Sequence, residues 1–119
     1  MKKATKVKIT VGGALERRAK RGFIAAWHRA ERGERFRERH LAFESWDALA
    51  RVLTSKRMDL LRYVRRHRVK SVRSLAKALR RDYSNVHTDV KTLAAAGLLE
   101  TKGGGLRASY DAIETKIAI

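Results

Sequence analysis

Near the start of the chain Val7, Ile9 and Val11 alternate with Lys6, Lys8 and Thr10. A two-residue period of this kind predicts a strand with one buried face, and Gly12-Gly13 ends it. From Ala14 to about Gly33 the apolar residues Leu15, Ala19, Phe23, Ala26, Trp27 and Ala30 recur at spacings of three and four. That spacing predicts an amphipathic helix, with Arg17, Arg18, Lys20, Arg21 and Arg29 turned mostly outward. Leu41 and Phe43 predict a short second strand, and Ser45 is placed to cap a helix carrying Trp46, Leu49, Val52 and Leu53. Residues 1–53 thus read as a strand-helix-strand-helix extension.

The pattern over residues 54–119 predicts a second unit. Thr54 stands where it can cap a helix running to about Arg68, which buries Met58, Leu60, Leu61 and Val64. Ser71 caps the next, where Val72, Leu75, Ala76 and Leu79 form a stripe only two turns long. A third helix follows almost at once, with Asp82 as its N-cap and Tyr83, Val86, Val90, Leu93 and Ala94 on its inner face. Gly97 supplies the left-handed position after its end. Leu98 to Lys102, the triple glycine at 103–105, and Leu106 to Tyr110 predict a hairpin. Ile113, Thr115, Ile117 and Ile119 alternate again, which predicts a last strand.

A supporting helix, two helices joined by a short turn and a glycine-tipped hairpin are the layout of a winged helix-turn-helix. The fold class read from the chain is therefore α+β, mainly α, with a winged helix-turn-helix over 54–119 and the extension over 1–53 available for dimerisation. If Val86 to Ala94 pack inward, the turn of about 100° per residue places Ser84, Asn85, Thr88, Lys91 and Thr92 on the opposite face. All are polar and none is acidic. Asn pairs two bonds with adenine, Thr meets a base edge or a thymine methyl, and Lys reaches guanine or phosphate. The plain alternative for such a face is a solvated helix surface.

Charge shifts the balance toward the first reading. The chain of 119 residues carries 29 Lys+Arg against 12 Asp+Glu, a formal charge of +17. Between Lys56 and Arg81 eleven of twenty-six residues are basic and only Asp59 is acidic, a bias beyond what solubility needs. A polyanionic partner is implied, because Lys and Arg gain by releasing counterions condensed on nucleic acid. Arg80 and Arg81 fall in the turn before the third helix, and Arg73 and Lys77 project from the second, which in this motif crosses the DNA backbone. All four are expected to bind phosphate. Lys102 and Arg107 flank the triple glycine, as a wing that enters a minor groove would require.

Other classes find less support. The longest run without a charged residue is eight, Thr92 to Leu99, against about 18 for a membrane span. No membrane partner is expected, and with Lys6 and Lys8 interrupting any leader-like core the expected location is the cytoplasm. There is no cysteine, no phosphate-binding GxxxxGK[ST] loop, and no HExxH spacing among His28, His40, His67 and His87. The expectation is a non-enzyme with no metal and no cofactor. Of eight aromatics, Phe23, Trp27, Phe43, Trp46 and Tyr83 fall on predicted core faces. That disfavours the main rival, an RNA- or ribosome-binding basic protein, since single-stranded bases stack on exposed rings.

The strings LTSKRMDLLRYV at 53–64 and SVRSLAKALRRDYSNVHTDVKTLAAAGLLE at 71–100 resemble small archaeal and bacterial transcriptional regulators with a MarR-like or ArsR-like winged helix. RDYSNVHTDV at 81–90 is the most specific part, and FESWDALARVL at 43–53 and AERGE at 30–34 are similar too. The chain departs from that pattern at Ser55 and Ser109, where proline is expected. The resemblance implies a DNA-binding regulator of transcription, and the function expected from the chain is to bind double-stranded DNA as a repressor or other regulator that acts by occupying a site. It also implies an alternative, an antitoxin that neutralises a toxin partner and regulates its own operon. A homodimer is expected as well, because one reading helix contacts only a few base pairs. The strands at Lys6 to Val11 and Ile113 to Ile119 are candidate edges for it, unless they complete the chain's own sheet.

Overall fold

The structure, a computed structural model, describes residues 5–12 and 38–119. The helix expected over Ala14 to Gly33 lies outside the described residues. The chain divides into two units, 1–50 with 110–119 and 51–109. It is α+β.

The first unit is built on a parallel three-stranded sheet in the order β2-β1-β5, with β1 Lys6–Val11, β2 Glu38–Phe43 and β5 Ala112–Ile117. β1 is the centre, and its Val7, Ile9 and Val11 are almost completely buried. Register places Leu41 and Phe43 of β2 opposite Ile9 and Val11, and Ile113 and Ile117 of β5 opposite Val7 and Val11. The apolar alternation of all three strands therefore falls on one face. Helix α1, Trp46–Val52, starts where Ser45 Oγ accepts a bond from the Ala48 amide at 3.2 Å, and it buries Leu49. Trp46, expected in the core, is exposed, as its place in the first turn allows.

Two sequence expectations are corrected here. Lys6 to Val11 is an interior strand and no open edge, and the final strand belongs with residues 1–50 instead of closing the 54–119 unit. Alternation identifies which face of a strand is buried but carries nothing about its pairing partner.

The second unit holds α2 Ser55–Arg66, α3 Val72–Leu79, α4 Tyr83–Ala95 and a two-stranded antiparallel ribbon of β3 Glu100–Lys102 and β4 Gly105–Arg107. Each helix has the cap its sequence predicts. Thr54 Oγ1 accepts from the Arg57 amide, Ser71 and Ser74 form a reciprocal capping box, and the Asp82 carboxylate accepts from the Asn85 amide. After α4, Gly97 at φ 83° lets the Leu98 amide reach the Leu93 carbonyl at 2.9 Å, closing a Schellman turn over two fully buried leucines. The core joins Leu60, Leu61 and Val64 of α2 to Leu75 and Ala76 of α3 and to Val86, Val90 and Leu93 of α4. Met58, Val72, Leu79 and Ala94 are only half-buried.

The ribbon is shorter than the expected hairpin: Leu98 and Leu99 before it and Ala108 to Tyr110 after it lie outside its two strands. Gly103 and Gly104 form its tip with φ of 58° and 82°, the two left-handed positions of a type I′ turn. Its second strand is tied back by the Leu106 amide on the Val69 carbonyl at 3.0 Å, in an isolated antiparallel bridge. A Cβ on Gly105 would stand 3.0 Å from that same carbonyl. This close approach explains the third glycine.

Candidate nucleic-acid interface

The candidate site lies within the second unit, on α3, the turn after it, α4 and the ribbon. Ser84, Asn85, Thr88 and Lys91 are exposed along one side of α4, and Thr92 at its margin is half-buried. The Thr88 hydroxyl donates to the Ser84 carbonyl at 3.1 Å. Arg73 and Lys77 of α3 and Arg80 after it are exposed as well, Arg73 and Lys77 four residues apart on one side of α3.

The turn between α3 and α4 is built in an unusual way. Arg80 adopts the left-handed conformation, φ 55° and ψ 46°, as the only positive-φ residue among the described ones that is not glycine. Its amide and that of Arg81 close the end of α3 on the carbonyls of Lys77 and Ala76. An L-residue in this region costs about 1–2 kcal/mol, and such outliers concentrate where a side chain must be aimed. The Asp82 carboxylate already accepts from the Asn85 amide at the start of α4, and the exposed cation of the turn is Arg80.

Arg81, expected to bind phosphate, is engaged elsewhere. Its Nη2 donates to Asp89 Oδ2 at 2.7 Å, while Arg57 Nε donates to Asp89 Oδ1 at 3.0 Å. Arg57 Nη1 also donates to the carbonyls of Arg51 and Val52 at 2.7 and 3.1 Å. Burial pushes the Asp89 carboxyl up, but the hydrogen bonds and charges of Arg81 and Arg57 outweigh it and hold the carboxyl below its ordinary range. The effect on the surface is decisive. The one acid inside α4 is buried and neutralised, so the outward face of the helix carries only neutral polar and positive groups. Sequence reasoning passed over Asp89. Its signal was the spacing: it falls three residues after Val86 and four before Leu93, on the flank of the apolar stripe.

Two further expectations change. Tyr83, placed in the predicted core, is 45% exposed. The Arg73 guanidinium lies over its ring at 5.3 Å from the centroid, and the His87 ring is tilted against it at 5.7 Å. A ring in the first turn of α4 lies beyond the layer formed by Val86 and Val90. On the ribbon, Lys102 and Arg107 are both exposed, but register sets Arg107 directly opposite Glu100. Opposite charges across a strand pair attract, so Lys102 carries most of the positive charge of the tip. Among the described residues no group of three His, Asp or Glu side chains is arranged to hold a metal ion, and no helix is long and apolar enough to cross a membrane.

Comparison with known proteins adds one finding. The model of the HVO_A0114 family matches residues 52–115. No curated protein and no solved structure matches the chain.

Proposed function

We propose that this chain, which belongs to the HVO_A0114 family, is a sequence-specific regulator of transcription that binds double-stranded DNA through a winged helix-turn-helix. In this reading α4 enters the major groove, α3 lies against the backbone and the β3-β4 tip reaches the adjacent groove. The observation that carries it is the outward face of α4. Ser84, Asn85, Thr88 and Lys91 stand exposed, as do Arg73, Lys77 and Arg80, while the single acid inside the helix is buried under two arginines. A helix serving only solubility has no need to neutralise its own carboxylate, whereas a helix approaching phosphates gains by it. The Val69–Leu106 bridge supports the wing assignment, since it ties the ribbon to the segment just before α3.

Tyr83 favours a second reading. An exposed ring flanked by Arg73 and His87 is a surface on which an unpaired base stacks, as in single-stranded RNA recognition. One experiment separates the two. Genomic duplexes retained by the protein are selected, and binding is measured by fluorescence anisotropy at fixed salt against random duplex, the separated strands and RNA of the same sequence. The DNA reading expects the selected duplex to bind at least about a thousandfold more tightly than random duplex. Preference for single strands or RNA overturns it.

A further inference from the structure

We infer that β5 is a self-complementary edge through which two copies of this chain pair antiparallel, about a two-fold axis at Thr115, into one continuous sheet. Among the described residues β5 is an edge of the sheet, bonded to β1 on one side. All of Ala112–Ile117 except Ile113 is exposed, and Ile117 is 44% exposed. Edges of this kind pair with further strands unless blocked.

The order of residues along β5 names the partner. With Thr115 facing the second copy's Thr115, Glu114 stands opposite the second copy's Lys116, and Lys116 opposite its Glu114. On the other face Ile113 stands opposite the second copy's Ile117, and Ile117 opposite its Ile113. Both contacts occur twice, as an isologous interface requires, and both are favourable cross-strand pairs. Glu114 accepts a bond from Lys6 through Oε1 at 3.1 Å, and Oε2 is the oxygen that would take the second copy's lysine. Neighbouring registers are penalised. A strand can slip only by steps that keep its faces aligned, and the nearest such steps set Glu114 opposite Glu114 or Lys116 opposite Lys116. Attraction at one register and like-charge repulsion on both sides of it identify a second copy of the same strand as the occupant.

The test needs no DNA, so its outcome is independent of the nucleic-acid reading. Light scattering across a concentration series should find the full chain dimeric, with dissociation favoured by high salt as the charge pairs are screened. Glu114→Lys alone sets lysine against lysine, and Lys116→Glu alone sets glutamate against glutamate. Each variant should be monomeric with the far-ultraviolet dichroism of the wild type. Mixed in equal amounts, the two should form a heterodimer, because both pairs across the seam are then opposite in charge. If Glu114→Lys disturbs the fold through its loss of Lys6, Ile117→Thr provides the second route, expected to weaken the dimer by at least tenfold. A monomeric wild type, single variants that remain dimeric, or a mixture that stays monomeric would each overturn the assignment.

Discussion

Asp89 Oδ2 accepts a hydrogen bond from Arg81 at 2.7 Å, and this contact fastens the turn before α4 to the middle of that helix. With Arg57 on its other oxygen, the carboxylate joins α2, the α3-α4 turn and α4 through side chains that are 12–21% exposed. Removing one partner of a buried charge cluster leaves the others uncompensated. Asp89→Ala should therefore cost about 3–5 kcal/mol of stability, read from urea unfolding, and Asp89→Asn should cost less. A cost no larger than that of an exposed pair, about 1 kcal/mol or below, would refute the account.

The same carboxylate predicts a pH effect with a definite sign. Asp89 is held below its ordinary value in the folded chain, so the stability it contributes is fully present above the unfolded pKa of about 3.9. It is lost as pH falls through the lower folded value. The stability gap between wild type and Asp89→Asn should thus narrow on acidification below about pH 4 and be constant above it. Unfolding curves of both proteins at a series of pH values check this.

Arg80 supplies a trade between stability and binding. Glycine accepts the left-handed conformation without the Cβ clash, so Arg80→Gly should raise stability by up to about 1 kcal/mol. The same change removes a cation from the turn before α4, and it should weaken every duplex alike and reduce the salt slope by about one. Gain in urea resistance with an unchanged slope would show that Arg80 faces water only.

Much of the fold was legible because its signals are local. Thr54, Ser71 and Asp82 cap their helices and Gly97 follows α4 as predicted, since a cap acts on amides within three residues of itself. Pairing was not legible. Val7 and Ile113 look alike in sequence, yet one belongs to an interior strand and the other to an edge. At the site, exposure of Ser84, Asn85, Thr88 and Lys91 followed from helix geometry alone. The roles of Arg81 and Tyr83 did not, because they depend on Asp89, Arg57 and Arg73, which other elements bring to them.

Tyr110 offers a spectroscopic check on the first unit. Burial raises its hydroxyl to about 12, against the lowering influence of the Arg39 guanidinium that lies over its ring at 5.7 Å. Titrated by absorbance of the phenolate, the wild-type minus Tyr110→Phe difference should show a midpoint of about 12. Because the folded value is raised, stability is lost as pH climbs from the unfolded value of about 10. Tyr110→Phe should lack that part of the loss.

Base reading and phosphate binding should separate by residue. Asn85 and Thr88 present side chains outward from the middle of the α4 face, where contacts to base edges contribute only on the correct sequence. Asn85→Ala or Thr88→Ala should cost about 1–3 kcal/mol on a selected duplex and almost nothing on random DNA. Arg73 and Lys77 are exposed on α3, which in the proposed reading lies against the DNA backbone, so Arg73→Ala or Lys77→Ala should weaken both DNAs equally and lower the salt slope by about one each. Arg81→Ala should behave differently from both. With its guanidinium committed to Asp89, its main effect should be on urea unfolding, and any loss of affinity should accompany that loss of stability. Equal losses on selected and random DNA for Asn85→Ala would remove α4 from the reading role, and a stable Arg81→Ala with a reduced salt slope would return Arg81 to the phosphate-binding set.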